Sequence, residues 1–191
     1  MVDIVKLDTL PDNLPVPLDD GGADHLPGLT LPPVTLAATN GSSVDLGALT
    51  GLCILYFYPR TGRPDEPLPA GWDMIPGARG CTPQSCAFRD HFAELQALGV
   101  SAVYGISTQT SAYQAEAAAR MHLPFALLSD EDRQLADALR LPMMEVADMV
   151  LNRRLTLIVE GGRIVNVLYP VFPPDRNAGD VIAALRTPDW R

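Results

Sequence analysis

The sequence predicts a mixed α/β sheet covered by helices, and three observations carry that reading. Residues 52–58, LCILYFY, are a continuous apolar and aromatic run stopped by Pro59, the pattern of a central strand with both faces covered. Downstream, strand-like apolar stretches alternate with helix-compatible ones until a hairpin and a last helix close the chain. Finally, 191 residues with 47% apolar content suffice for one domain with a substantial core.

The elements follow in order. Residues 1–33 carry Pro11, Pro15, Pro17, Pro27, Pro32 and Pro33 and the polar run 19–24, so the start of the chain reads as irregular. We draw residues 1–27 as an irregular N-terminal extension and residues 28–191 as the single domain. Residues 34–37 and 43–46 flank the turn TNGS at 39–42, a hairpin signal. After the central strand, residues 60–80 hold Pro64, Pro67, Pro69, Pro76 and four glycines, and cannot form a regular element. Loops of this length are usually functional or mobile. It reads as a loop inserted at about residues 60–76, anchored by Trp72 and Ile75, which either decorates the surface or covers the pocket of Cys81.

A helix is expected over residues 83–98, with Thr82 as N-cap, Pro83 at its first position, and Phe88, Phe92 and Leu95 on one face. Gly99 ends it. Residues 100–106 read as the next buried strand, 112–121 as an alanine-rich helix capped by Ser111, and 125–128 as a short strand. Residues 130–139 read as a helix with its cap at 130–132. Residues 155–159 and 164–168 flank EGGR, a hairpin signature, and 179–186 form the last helix.

A net charge of −9 and a pI near 4.6 favour solubility and argue against a nucleic-acid backbone as partner. No run of 18 apolar residues exists to span a membrane. The first residues lack a basic region followed by an apolar core, so no secretory signal is expected. Three cysteines make no disulfide scaffold; reactive thiols in a reducing cytoplasm are the simplest account. Cys53, inside the central strand, reads as a small inert hydrophobe.

The chemistry concentrates in GARGCTPQSCAFRD at residues 77–90, where Cys81 and Cys86 stand five positions apart. A thiol at a helix start meets unpaired backbone N–H groups, which favour a thiolate. In an intact helix the two cysteines would lie about 7.5 Å apart along the axis and about 140° around it. A disulfide needs Cα atoms within roughly 7 Å and converging side chains. Either the pair never bonds, or it bonds when the first turn unwinds. Cys81, Cys86 and His91 do not have a usual zinc spacing, and no fourth ligand is evident. A Cys-x-x-Cys motif is absent.

This segment, preceded by LYFYP at residues 55–59, resembles the active-site region of the peroxiredoxins, and within them the bacterioferritin-comigratory or Q-type subgroup. The likeness runs over about residues 28–186. It implies a thioredoxin-like fold with a central mixed sheet flanked by helices, and a thiol-dependent peroxidase acting on hydrogen peroxide and organic hydroperoxides. It implies Cys81 as the peroxidatic cysteine that becomes a sulfenic acid, and Cys86 as the resolving cysteine that closes an intrachain disulfide. Arg154 matches the arginine that stabilises thiolate and peroxide, with Arg153 as its alternative, and Gln84 matches a Glu or Gln position that orients the arginines. Pro59 matches the family proline if part of the Pro/Gly-rich loop is an insertion. Where the family keeps a Thr or Ser hydroxyl this chain has Ala78; Thr61 and Thr82 are the residues near enough in sequence to replace it. The resemblance implies no cofactor or metal, and as partners a peroxide and a thioredoxin- or glutaredoxin-type reductant. A monomer suffices for pairing within one chain, and a dimer is compatible with it. The other reading kept open is a redox-responsive sensor or binding protein that uses the same pair as a switch.

Overall fold

The computed structural model describes residues 7–187; the first six residues of the extension and the last four of the chain lie outside the described residues. Nine strands and five helices follow in chain order among them: β1 (Thr35–Ala38), β2 (Ser43–Asp45), β3 (Leu52–Phe57), α1 (Cys81–Asp90), α2 (Phe92–Ala97), β4 (Val100–Ser107), α3 (Ser111–Arg120), β5 (Leu127–Ser129), α4 (Gln134–Leu139), β6 (Met143–Val146), β7 (Met149–Asn152), β8 (Leu155–Glu160), β9 (Arg163–Leu168) and α5 (Asn177–Arg186). Seven strands make one sheet in the order β2-β1-β5-β4-β3-β8-β9. β3, β4 and β5 are parallel, whereas β1–β2, β1–β5, β3–β8 and β8–β9 are antiparallel.

β3 explains why this sheet has two covered faces. Every one of its residues is buried, and alternate side chains point to opposite sides. Cys53, Leu55 and Phe57 enter one core with Leu135 and Leu139 of α4. Ile54 and Tyr56, continued by Tyr58, enter the other with Phe88 of α1, Leu95 of α2 and Val181 of α5. Cys53 therefore lies across the sheet from Cys81, which belongs to the second core.

Several elements differ from expectation. The helix placed at 83–98 is two helices parted at His91, and α1 begins at Cys81. Its N-cap is Gly80 at φ 104°, not Thr82, and Pro83 occupies the third helical position. A proline is tolerated there because the first-turn N–H groups have no intrahelical partner. Thr110 rather than Ser111 caps α3, its hydroxyl accepting from Tyr113 N. β5 is Leu127–Ser129 instead of 125–128, and α5 starts two residues earlier than the glycine at 179. The segment 130–139 is a turn followed by α4, with the Asp130 carboxylate accepting from the N–H groups of Leu135 and Ala136. The hairpin β6–β7 was not expected.

Among its described residues the N-terminal segment has no helix or strand, but it is not an appendage. Ala23 and Leu26 are buried in the first core, and residues 28–31 run along the start of β9, with Gly28 N donating to Ile164 O (2.8 Å) and Ile164 N to Leu29 O (2.9 Å). The boundary at residue 27 therefore cuts through a packed segment. Residues 60–80 contain only a 3-10 turn at Trp72–Met74. Trp72 and Ala78 pack with Val146 of β6 and Leu151 of β7, so the hairpin is what this loop is anchored on.

Candidate active site

α1 is docked on β3 at its middle and tied down at its first turn. The ring of Phe88 stacks on Tyr56 with centroids 4.4 Å apart, and Tyr56 Oη donates to Ser85 Oγ at 3.0 Å. Burial pushes the phenols of Tyr56 and Tyr58 well above their ordinary value, so both are neutral hydroxyls. At the first turn, Gln84 Nε2 donates to Asn177 Oδ1 at 2.8 Å, the same oxygen that accepts from Thr156 Oγ1 at 2.8 Å. α1, α5 and β8 are thus joined through one buried amide.

Arg154 enters this site from the residue before β8. It is buried. Its Nη1 donates to Gln84 Oε1. Its Nη2 lies 3.3 Å from Cys81 Sγ and 3.1–3.2 Å from the carbonyl oxygens of Gly77, Ala78 and Arg79. No carboxylate forms an ion pair with it among the described residues. A buried guanidinium without a carboxylate is costly unless its hydrogen bonds and a nearby anion compensate it. Three carbonyl dipoles supply part of that, and the cysteine sulfur is the one group touching it that can become an anion. A cationic donor binds a thiolate more strongly than a thiol. Arg154 Nε is buried and has no hydrogen-bond partner among the described residues, leaving one N–H for an incoming oxygen.

Arg153, its neighbour in the connection between β7 and β8, goes the other way. Its Nε donates to Met143 O at 3.1 Å and its Nη1 pairs with Asp20 at 3.3 Å. Thr61 is buried but not beside Cys81: its N–H and hydroxyl both donate to Gln109 Oε1, at 2.8 and 3.2 Å. Gln109 in turn lines a cleft of about 470 Å³ with Arg60 and Tyr113, on whose wall neither cysteine lies. Pro59 ends the run after β3 and its carbonyl accepts from Ser107 Oγ at 3.5 Å. Thr82 is buried beside Cys81, and Ala78 offers its carbonyl to the site, 3.7 Å from Cys81 Sγ. Asn177 and Thr156 went unpredicted; nothing local in the sequence marks two polar residues from separate elements as a pair.

Cys86 is also on α1 but faces outward. It is half-buried, and desolvation raises its thiol above the ordinary value, against the pull of Arg89. It opens into a cleft of about 730 Å³ whose other walls include residues 8–12, Leu14, Pro83 of the first turn, His91 and Phe172 to Pro173. All three cysteines are free thiols. No group of three or more His, Cys, Asp or Glu side chains among the described residues is arranged to hold a metal, and no helix among them is long and apolar enough to cross a membrane.

The sheet is mixed, with a buried cysteine at the start of a helix held by an arginine just before the neighbouring antiparallel strand, and the Redoxin family model matches residues 26–182. Peroxiredoxin Q, chloroplastic, of Oryza sativa is 30% identical over 164 residues, 84% of this chain and 66% of the rice protein. The putative peroxiredoxin bcp of Coxiella burnetii is 27% identical over 168 residues, 83% of this chain and 97% of the relative. Among solved structures, peroxidoxin BcpB of Mycobacterium tuberculosis superposes with a TM-score of 0.67 at 25% identity, covering 85% of this chain and 97% of that one. The chain belongs to the Redoxin family and within it to the Q-type, or bacterioferritin-comigratory, peroxiredoxins.

Proposed function

We propose that the protein reduces hydrogen peroxide and organic hydroperoxides through Cys81 and resolves the product through Cys86. The observation that carries this reading is Arg154 Nη2 at 3.3 Å from Cys81 Sγ, in a buried site where no carboxylate of the described residues answers the guanidinium. The Cys81 thiolate attacks one peroxide oxygen and the O–O bond breaks. The sulfur is oxidised to the sulfenic acid, and the second oxygen leaves as water or an alcohol after taking a proton. Arg154 Nε, with the N–H groups of the first turn, stabilises the charge that develops on the leaving oxygen. Cys86 then attacks the Cys81 sulfur, the S–S bond forms and water leaves. A thioredoxin- or glutaredoxin-type dithiol protein returns the disulfide to two thiols, which fits a reducing compartment such as the cytoplasm.

The resolving step requires α1 to open. Both cysteines lie in the helix, where a five-residue separation holds them about 7.5 Å apart along its axis. Unwinding the first turn removes the Gln84 bonds to Arg154, Asn177 and Gly80 O, each contributing about 1 kcal/mol net. A disulfide between residues of one chain needs no second subunit, so the cycle is complete in a monomer.

Stopped-flow mixing of the reduced protein with hydrogen peroxide tests this. Fast stoichiometric oxidation that disappears in Cys81→Ser, and a sulfenic acid captured by dimedone in Cys86→Ser, are the expected results. Oxidation no faster than that of a free thiol defeats the peroxidase reading. The deep burial of Cys81 favours one second reading, a redox switch. Sustained peroxide turnover with a dithiol reductant supports the enzyme, and a single oxidation without turnover supports the switch.

A further inference from the structure

The irregular segment before the domain lies across the reactive site. Leu7 packs toward Gly62 and Leu68 of the inserted loop; a Cβ built on Gly62 would stand 3.0 Å from Leu7 Cδ2. Leu10 sits over the N-cap of α1, where a Cβ on Gly80 would stand 2.9 Å from Leu10 Cδ2. Leu14 and Pro15 close a hollow on Arg154 together with Val171 and Pro174. Pro17 closes a second hollow, between Arg153, Arg154 and Gly77. Asp20 then fixes the segment, pairing with Arg153 at 3.3 Å and accepting from Tyr169 Oη at 2.7 Å.

Two consequences follow from the sizes. Each hollow beside Arg154 measures about 10 Å³, at the lower limit for a single water. A peroxide, with two linked oxygens, fits neither while the segment is seated. Leu10 and Pro174 also flank Gly80, the N-cap of α1, so the first turn starts from a covered end.

The segment is poorly fastened in its middle. Pro11, Pro15 and Pro17 lack the N–H that a strand would use, and no backbone hydrogen bond joins residues 8–17 to another described residue. Among the described residues, side-chain packing is what holds them, the signature of a region that opens at low free-energy cost.

The geometry points to residues 8–17 as a hinged strap that gates both chemical steps of the proposed peroxidase cycle. Seated, it closes the hollows on Arg154 beside Cys81 and covers the N-cap from which the first turn of α1 starts. Lifted, it admits the peroxide and frees the turn to carry Cys81 toward Cys86. The inference rests on the peroxidase reading for the identity of the steps, but not for the gating itself.

Alkylation tests the gate without any peroxide chemistry. In the full chain, Leu10→Ser combined with Leu14→Ser removes the two apolar anchors over Gly80 and Arg154. Iodoacetamide labelling of Cys81, followed by peptide mass mapping, is expected to accelerate by about tenfold or more, and oxidation by cumene hydroperoxide to gain more than oxidation by hydrogen peroxide. Labelling within about twofold of the parent in a folded variant overturns the strap. Faster labelling with peroxide reaction no faster than that of a free thiol keeps the strap and discards the peroxidase. A second measurement needs no variant: the parent is oxidised with diamide and digested with endoproteinase Asp-N, which cuts before Asp8 and Asp12. Cleavage there is expected to be at least about tenfold faster after the Cys81–Cys86 bond forms, tracking the open population; equal rates in the two forms overturn the coupling of strap and turn.

Discussion

Replacing Arg154 by methionine separates what the guanidinium does for the reaction from what it does for the fold. Methionine fills much of the stem's volume but offers no donor. Four acceptors then lose a partner: the carbonyls of Gly77, Ala78 and Arg79, and Gln84 Oε1. The two hollows beside the guanidinium can each take about one water, which leaves about two acceptors unsatisfied at roughly 1–3 kcal/mol each. Removing a buried charge offsets part of this. The net loss is about 3 kcal/mol, or about 6–12 °C in Tm for a domain of this size. The rate effect has a different origin. One preorganised donor at a developing oxyanion is worth roughly 10²–10³ in rate, and the second-order rate constant for Cys81 oxidation is expected to fall by that factor. Stopped-flow oxidation at 25 °C, well below the lowered Tm, measures it on folded protein. A variant that oxidises within about threefold of the parent refutes the role assigned to Arg154, whatever happens to its Tm.

Two further outcomes follow. Gly80→Ala places a Cβ at a backbone with φ 104° and 2.3 Å from Pro174 Cγ; strain of about 1–3 kcal/mol plus the clash should lower Tm by several degrees, and a calorimetric shift under about 1 °C would contradict the cap geometry. In Cys81→Ser, the thiolate absorbance of Cys86 near 240 nm should titrate above the ordinary thiol value of 9.0, because burial disfavours its anion. The sign for stability is that of a raised acid: the contribution is complete below about pH 9 and is lost as pH rises toward the folded value. A midpoint at or below 9.0 contradicts this.

Much of the sheet was legible because β3 is apolar on both faces and its neighbours repeat the pattern. The β6–β7 hairpin was not. Its turn carries Ala147 at φ 52°, and without Gly or Asn nothing in MMEVADMV signals a reversal. The break at His91 was hidden for the opposite reason: Phe88, Phe92 and Leu95 keep one helical stripe across it. At the site, the five-residue cysteine spacing and the adjacent pair Arg153 and Arg154 are local patterns and could be read. The Gln84–Asn177–Thr156 junction is a product of tertiary packing, as is the passage of residues 8–17 over Gly80. The lead-in looked dispensable in sequence because its leucines are spaced among prolines without a period.

The pairing of residues 28–31 with β9 reaches beyond the site. β9 is a border of the seven-stranded sheet, and an open border invites another chain to add a strand. Here Thr30 bridges Arg163 and Leu31 N donates to Gly162 O at 2.8 Å, so the chain blunts its own border where β9 begins. At the opposite border, β2 is only three residues long, too short to template much growth. The sheet is therefore guarded at both ends against runaway association, a safeguard for a protein proposed to loosen a helix in every cycle.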